Sequence, residues 1–215
     1  NFDIRKTLIK FDNVLNDQRQ VIFSQRKNAM NSEQIYEYSD EFLNNILEDL
    51  ISLKIKKMSN PTNNDFDNRL KSILGKNYDE SDFYKLDTLN DNELKNIVLK
   101  KFKNAREERV KLLDENQSKE VEKRIFLQTI DLNWKSHIQY LEQLRQVIGL
   151  RSYGQRDPLI EYKKEAFTLF ENLLNKLKFD YITILMNLKV VETSKENREN
   201  IQQKKVNPSY IGKKM

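Results

Sequence analysis

The chain has no cysteine, one histidine, one tryptophan, four glycines and three prolines in 215 residues. Each shortage excludes something. Without cysteine there is no disulfide and no thiolate-held metal. The lone His137 has no second imidazole and no recognisable nucleophile partner, so it reads as a structural residue on a helix face. Asp12, Asp17 and Glu48 are not at ligand spacing and read as surface charge. No glycine-rich loop with a lysine is present, so the chain is not expected to bind ATP by itself. No apolar run approaches the ~20 residues of a membrane span; the longest tempting one is Tyr181 to Met186. The chain opens at Asn1 without a signal peptide and with a helical pattern already under way, as expected of a piece of a longer protein.

What is present favours helix. Charged residues make up 33% and hydrophobic ones 38%, with Lys, Glu, Leu and Gln abundant and few breakers. Such a composition suits an elongated all-α body with much surface per residue. The net charge of +5 permits an anionic partner without requiring one.

Apolar spacing places the helices. Over 2–30, Ile4, Leu8, Phe11, Leu15, Gln18, Ile22 and Gln25 form one stripe with polar breaks, widened by Val14 and Val21. A second helix over 33–58 takes Ser32 as N-cap and Ile35, Tyr38, Phe42, Ile46, Leu50 and Leu53 as its face, ending at Asn60-Pro61. A short helix at 66–74 stops at Gly75. Tyr78, Phe83 and Tyr84 are expected to cover a small core nearby. The helix over 91–116 opens with Asn90 and Glu93 as a capping box; its face is Leu94, Val98, Phe102, Ala105 and Leu112. Arg106, Glu107, Glu108 and Arg109 read as a solvated face. Asp114–Lys119 reads as a kink or short link.

The clearest pattern lies at 118–188. Leu127, Ile130, Trp134, His137, Leu141, Leu144 and Ile148 step by three and four until Gly149. The next helix opens with Asp157 as N-cap and Pro158 at its first position, followed by Tyr162, Ala166, Phe170, Leu173, Leu177, Ile184 and Leu188. Each arm spans ~46 Å at 1.5 Å per residue, so the two are expected to pack as an antiparallel hairpin against the first helix. Residues 189–215 lose the pattern and read as a flexible tail.

The hairpin tip runs from Gly149 to Asp157 and carries Arg151, Tyr153 and Arg156. A loop held far out on two stiff helices is well placed to touch a partner, and a tyrosine grips many sequences without choosing one. The bland alternative is a C-cap glycine with Leu150 and Tyr153 folded back on the hairpin ends.

Two blocks carry a resemblance. NFDIRKTLIKFDNVLNDQRQVIFSQR resembles the start of the scaffold helix of the SecA family of preprotein translocase motors. LQTIDLNWKSHIQYLEQLRQVIGLRSYGQRDPLIEYKKEAFTLFENLL resembles that family's two-helix finger. Together they cover about 75 of the 215 residues, ungapped and in the family's order. The resemblance implies a division into a scaffold helix at 1–30, a helical wing at 31–117, a two-helix finger at 118–188 and a tail at 189–215. It implies Tyr153 as a substrate contact at the finger tip, flanked by Arg151 and Arg156, and Arg5, Asp12 and Asp17 as candidates for coupling to the motor. ATP and Mg would sit in motor folds outside this chain, with no cofactor in the chain itself. Implied partners are those motor folds, the SecYEG channel, unfolded preproteins and an anionic membrane surface, not nucleic acid. The implied location is the bacterial cytoplasm, at the inner face of the inner membrane. Many members end in a cysteine-rich zinc-binding tail, which a chain without cysteine cannot form. The rival expectation is a standalone helical module that docks an anionic partner through basic faces.

Overall fold

The structure, a computed structural model, describes residues 2–31, 33–75, 85, 86, 88–148 and 157–189, with only the backbone for residues 2–8 and 31. The described residues are all-α: α1 (Phe2–Asn31), α2 (Ile35–Ser59), α3 (Asp65–Leu74), α4 (Asp91–Leu113), α5 (Glu115–Ile148) and α6 (Pro158–Asn187). None of these helices is long and apolar enough to cross a membrane. The caps follow the sequence at two starts. Asn90 and Glu93 form a reciprocal capping box on α4, and Asp157 accepts from the Leu159 amide ahead of Pro158 on α6. At α2 they do not. The N-cap is Gln34, without a side-chain cap bond, and Ser32 lies outside the described residues, as do Tyr78, Phe83 and Tyr84.

The long arms α5 and α6 are shared by two cores. Toward the tip, Leu141, Leu144, Ile148, Tyr162 and Ala166 close over Phe11 of α1, and the Phe11 and Tyr162 rings meet edge to face at 4.8 Å. Toward the base, Phe126, Ile130, Tyr181, Ile182, Leu185 and Met186 pack into one continuous core with α2, α3 and α4. There Phe126, Tyr181 and Phe42 form a three-ring cluster. Full burial of side chains of this size contributes about 1.5–3 kcal/mol each, so the base core holds the hairpin and α2–α4 together. Periodicity misjudged a few face edges. Val21, Leu112 and Ile184 are exposed, at 43%, 49% and 42%. On α5 Phe126 is fully buried, with Leu127 half-buried against the core.

Two backbone positions set corners. A single residue, Asp114 (φ 68°), joins α4 to α5, so the expected kink is a sharp stop, and α4 ends at Leu113 rather than near 116. Asp114 Oδ1 accepts from the Gln117 amide at 2.9 Å and so caps α5. Gly75 (φ 75°) ends α3, and a Cβ there would meet Asn187 Oδ1 at 2.1 Å. That Asn187 donates to the carbonyls of Ser72 and Ile73 at 3.2 and 3.3 Å, tying the end of α6 to the end of α3. Gly75→Ala is therefore expected to cost about 2 kcal/mol, from a φ that a Cβ disfavours and from displacement of Asn187. Urea denaturation measures it, and a loss below about 0.5 kcal/mol would show that the corner relaxes freely.

Candidate functional site

The hairpin is a braced lever. At 1.5 Å per residue its arms of 34 and 30 residues extend about 51 and 45 Å. The brace is α1, antiparallel to α5 and fastened to it by polar contacts at three levels. Arg26 pairs with Asp131 near the base, and Arg145 with Asp12 at 2.9 Å toward the tip. Between them lies a buried contact. Gln18 Nε2 donates to the Ala166 carbonyl of α6 at 3.0 Å, which leaves Gln18 Oε1 to accept from His137 Nε2 at 2.7 Å. The His137 ring is also flanked by Trp134 and Phe170, with centroids at 5.5 and 5.8 Å. Burial lowers its pKa to about 4, because the imidazolium would leave water for a mostly apolar site. His137 is thus a neutral clasp across three helices. Gln18, which interrupts the apolar stripe of α1, is the residue that satisfies it.

The predicted contact residues fall elsewhere. Arg151, Tyr153 and Arg156 lie in the segment 149–156, outside the described residues, and the Arg5 side chain is likewise not described. Asp12 is exposed and held by Arg145, and Asp17 is exposed on α1. On the hairpin itself, a groove of about 530 Å³ runs between α5 and α6, lined by Leu132, Tyr140, Leu169, Leu173 and Ile184 among others. Among the described residues no group of three acidic or histidine side chains is placed to hold a metal ion.

A cluster at the base was not foreseen. Arg109, read from sequence as solvated, is 1% exposed, and Glu122 is fully buried. Arg109 Nη2 donates to Glu122 Oε1 at 2.7 Å and Nη1 to the Leu185 carbonyl of α6 at 2.7 Å. Arg106 Nε reaches the same carboxylate oxygen at 3.3 Å, while its Nη2 donates to Ser39 Oγ at 2.6 Å and its Nη1 to Asp40 at 3.0 Å. Ser39 Oγ lies 3.1 Å from Glu122 Oε2. The Arg106 guanidinium also rests on the rings of Tyr36 and Phe102. Three helices thus meet at one carboxylate, and Arg109 ties α6 to it through the Leu185 carbonyl. Burial and the nearby Glu122 charge push the Tyr181 phenol well above its ordinary pKa, which keeps it neutral. Only Glu107 and Glu108 of the expected solvated run are exposed. The available signal was spacing: Arg106 and Arg109 lie four and seven residues beyond Phe102, on the same helical face as the buried stripe.

Residues 1–189 match the family model described as the SecA wing and scaffold domain. The chain is 67% identical over 197 residues to the protein translocase subunit SecA of Pelagibacter ubique, covering 92% of this chain and 23% of that protein. The SecA subunits of Caulobacter vibrioides and Afipia carboxidovorans are 37% and 36% identical, over 91% and 89% of the chain and 22% and 21% of their own lengths. The chain therefore spans a little under a quarter of the curated relatives it matches.

Proposed function

Because the chain belongs to the SecA wing and scaffold family, we propose that it serves a protein-translocating ATPase as the part that carries motor movement to the polypeptide being moved. The observation that supports this best is the braced lever: two long arms, clasped by α1 through Gln18 and His137 and rooted in a core shared with α2, α3 and α4. A lever transmits displacement only if it does not bend, and its buried polar clasp resists sliding of one helix past another.

In this reading residues 1–30 are the scaffold helix, 31–117 the wing, 118–188 the two-helix finger and 189–215 a tail. Tyr153 contacts the unfolded preprotein, with Arg151 and Arg156 beside it for anionic groups at the channel mouth. The apolar groove between α5 and α6 adds a surface suited to extended apolar chain. Arg5, Asp12 and Asp17 face the motor folds, which bind ATP and Mg outside this chain. The partner channel is SecYEG, and the site of action is the cytoplasmic face of the bacterial inner membrane, where the basic excess favours anionic lipid. Until partners bind, the finger restrains hydrolysis.

The test is Tyr153→Ala in the full-length motor, with preprotein transport and ATP hydrolysis followed together. The expected result is a loss of transport of tenfold or more with hydrolysis retained. Unchanged transport would remove Tyr153 from the substrate contact. In the same assay, Arg5→Ala that leaves hydrolysis and its stimulation unchanged would remove Arg5 from motor coupling.

A further inference from the structure

Along its inner face α1 buries Phe11, Gln18, Ile22 and Ala29, and Gln18 is the polar residue among them. About 110° round the helix lies a second apolar stripe that the hairpin leaves uncovered: Ile9, Phe23 and Met30 are 58%, 54% and 52% exposed. One face of α1 is thus seated on the hairpin and another is open, and any load that passes from the open face to the hairpin crosses the inner one.

The contacts on the inner side differ in what they can carry. The pairs Arg145–Asp12 and Arg26–Asp131 are exposed and join α1 to α5. The stretches they bound, Asp12 to Arg26 on α1 and Asp131 to Arg145 on α5, are equal in length, about 21 Å at 1.5 Å per residue, so both pairs belong to one antiparallel register. Exposed ion pairs hold weakly, because water and salt compete for either partner. The Phe11 and Tyr162 rings join α1 to α6, but apolar attraction is non-directional and tolerates sliding. Gln18 is different. It is 8% exposed, it bonds both arms, and one of its bonds ends on main chain: Nε2 donates to the Ala166 carbonyl of α6 at 3.0 Å, and Oε1 accepts from His137 Nε2 of α5 at 2.7 Å. A carbonyl inside a helix moves with the helix, whereas the tip of a charged side chain swings. Ala166, fully buried, has no side chain beyond Cβ to keep the amide off that carbonyl. Hydrogen bonds weaken with distance and angle, and breaking either of these leaves a buried polar group without a partner.

We propose that Gln18 is the positioning residue through which displacement of α1 reaches both arms of the hairpin together: its amide nitrogen holds the α6 main chain, its carbonyl oxygen holds His137 of α5, and the arms therefore follow α1 as one body. The consequence for transport rests on the function proposed above; the hold of Gln18 on the two arms does not.

The test uses the full-length motor with its cysteines replaced and spin labels in two pairs, 16 with 168 for α1 to α6 and 16 with 139 for α1 to α5, all at exposed positions. Gln18→Leu keeps the bulk and removes both bonds. The expected result is a broadened distance distribution in both pairs and a several-fold drop in preprotein moved per ATP, with hydrolysis retained. Gln18→Glu keeps the acceptor for His137 and turns a carboxylate oxygen to the Ala166 carbonyl, so it is expected to broaden 16 with 168 alone. His137→Gln, which keeps a donor for Gln18, is expected to leave both distributions and transport as they were. Unbroadened distributions in Gln18→Leu overturn the proposal, whatever transport does. Equal broadening in Arg26→Gln overturns it too, because any loosening of α1 would then suffice. Broadened distributions with unchanged transport per ATP uphold the positioning role and overturn the lever reading instead. Where Gln18→Leu is not recovered folded, Gln18→Glu decides on the α1 to α6 distance.

Discussion

Glu122→Ala is expected to destabilise the 215-residue chain by about 3–5 kcal/mol, the range seen when one partner of a buried ion pair is removed. The cause is the residue left behind. Arg109 is 1% exposed, and its remaining bond goes to the Leu185 carbonyl of α6. Without Glu122 a guanidinium remains in the core with no counter-charge, while Arg106 retains Asp40 and Ser39 at the rim. The same reasoning separates the pair from its parts. Arg109→Met should be costly, because it strands the carboxylate. Arg109→Met combined with Glu122→Leu should recover most of the loss, because desolvated charges then leave together. Chemical denaturation of the original chain, Arg109→Met, Glu122→Leu and the combined variant gives a double-mutant cycle. A coupling energy near zero would show that the two side chains do not depend on each other and would sink the account of the base given above.

Acid should loosen the brace before it titrates most carboxylates. The His137 pKa falls from an ordinary 6.5 to about 4 in the folded chain. A histidine held neutral stabilises the fold above its unfolded pKa. As pH falls below about 6.5 the unfolded chain takes up a proton that the folded chain refuses, and stability drops until both are protonated below about 4. For that shift the expected loss between pH 7.5 and 5 is about 2 kcal/mol. The chain has a single histidine, so this window belongs to His137. His137→Gln keeps a donor for Gln18 and removes the titration. Stability measured against pH should therefore fall for the original chain and stay nearly flat for the variant from pH 7.5 to 5. Parallel curves would mean that His137 protonates without penalty and that its environment is wetter than its 3% exposure implies.

Both effects arise from polar residues inside helix faces that apolar periodicity describes well. The stripes of α5 and α6 were legible because a helix buries whatever recurs at three and four residues, and the capping signals at Asn90 and Asp157 are local chemistry that needs no partner. The breaks in those stripes were legible only as breaks. Gln18 was seen as a polar interruption and His137 as a structural histidine, but nothing along the chain says that the two are 2.7 Å apart. The run Arg106 to Arg109 departs further from what its sequence implies. Four consecutive charges normally face water, yet two of them lie on the buried side of α4 because a carboxylate from another helix is there to meet them. Arg151, Tyr153 and Arg156 of the tip are proposed as contacts from the loop pattern and from the resemblance, and they lie outside the described residues.

The sequence by itself determined that this chain is helical, where its helices run to within a few residues, and that two of them form long arms. Propensity, caps and a 3.6-residue period act over one or two turns, so neighbours in the chain suffice to specify them. Only the tertiary structure decided which face of each arm meets α1, that α2–α4 share one core with the hairpin base, that Asp114 is the joint, and that Glu122 and Arg109 are buried. Those outcomes depend on desolvation and on charge and hydrogen-bond matching between residues 13 to 119 positions apart, and no local pattern carries the free energy of a partner that arrives only when the helices pack.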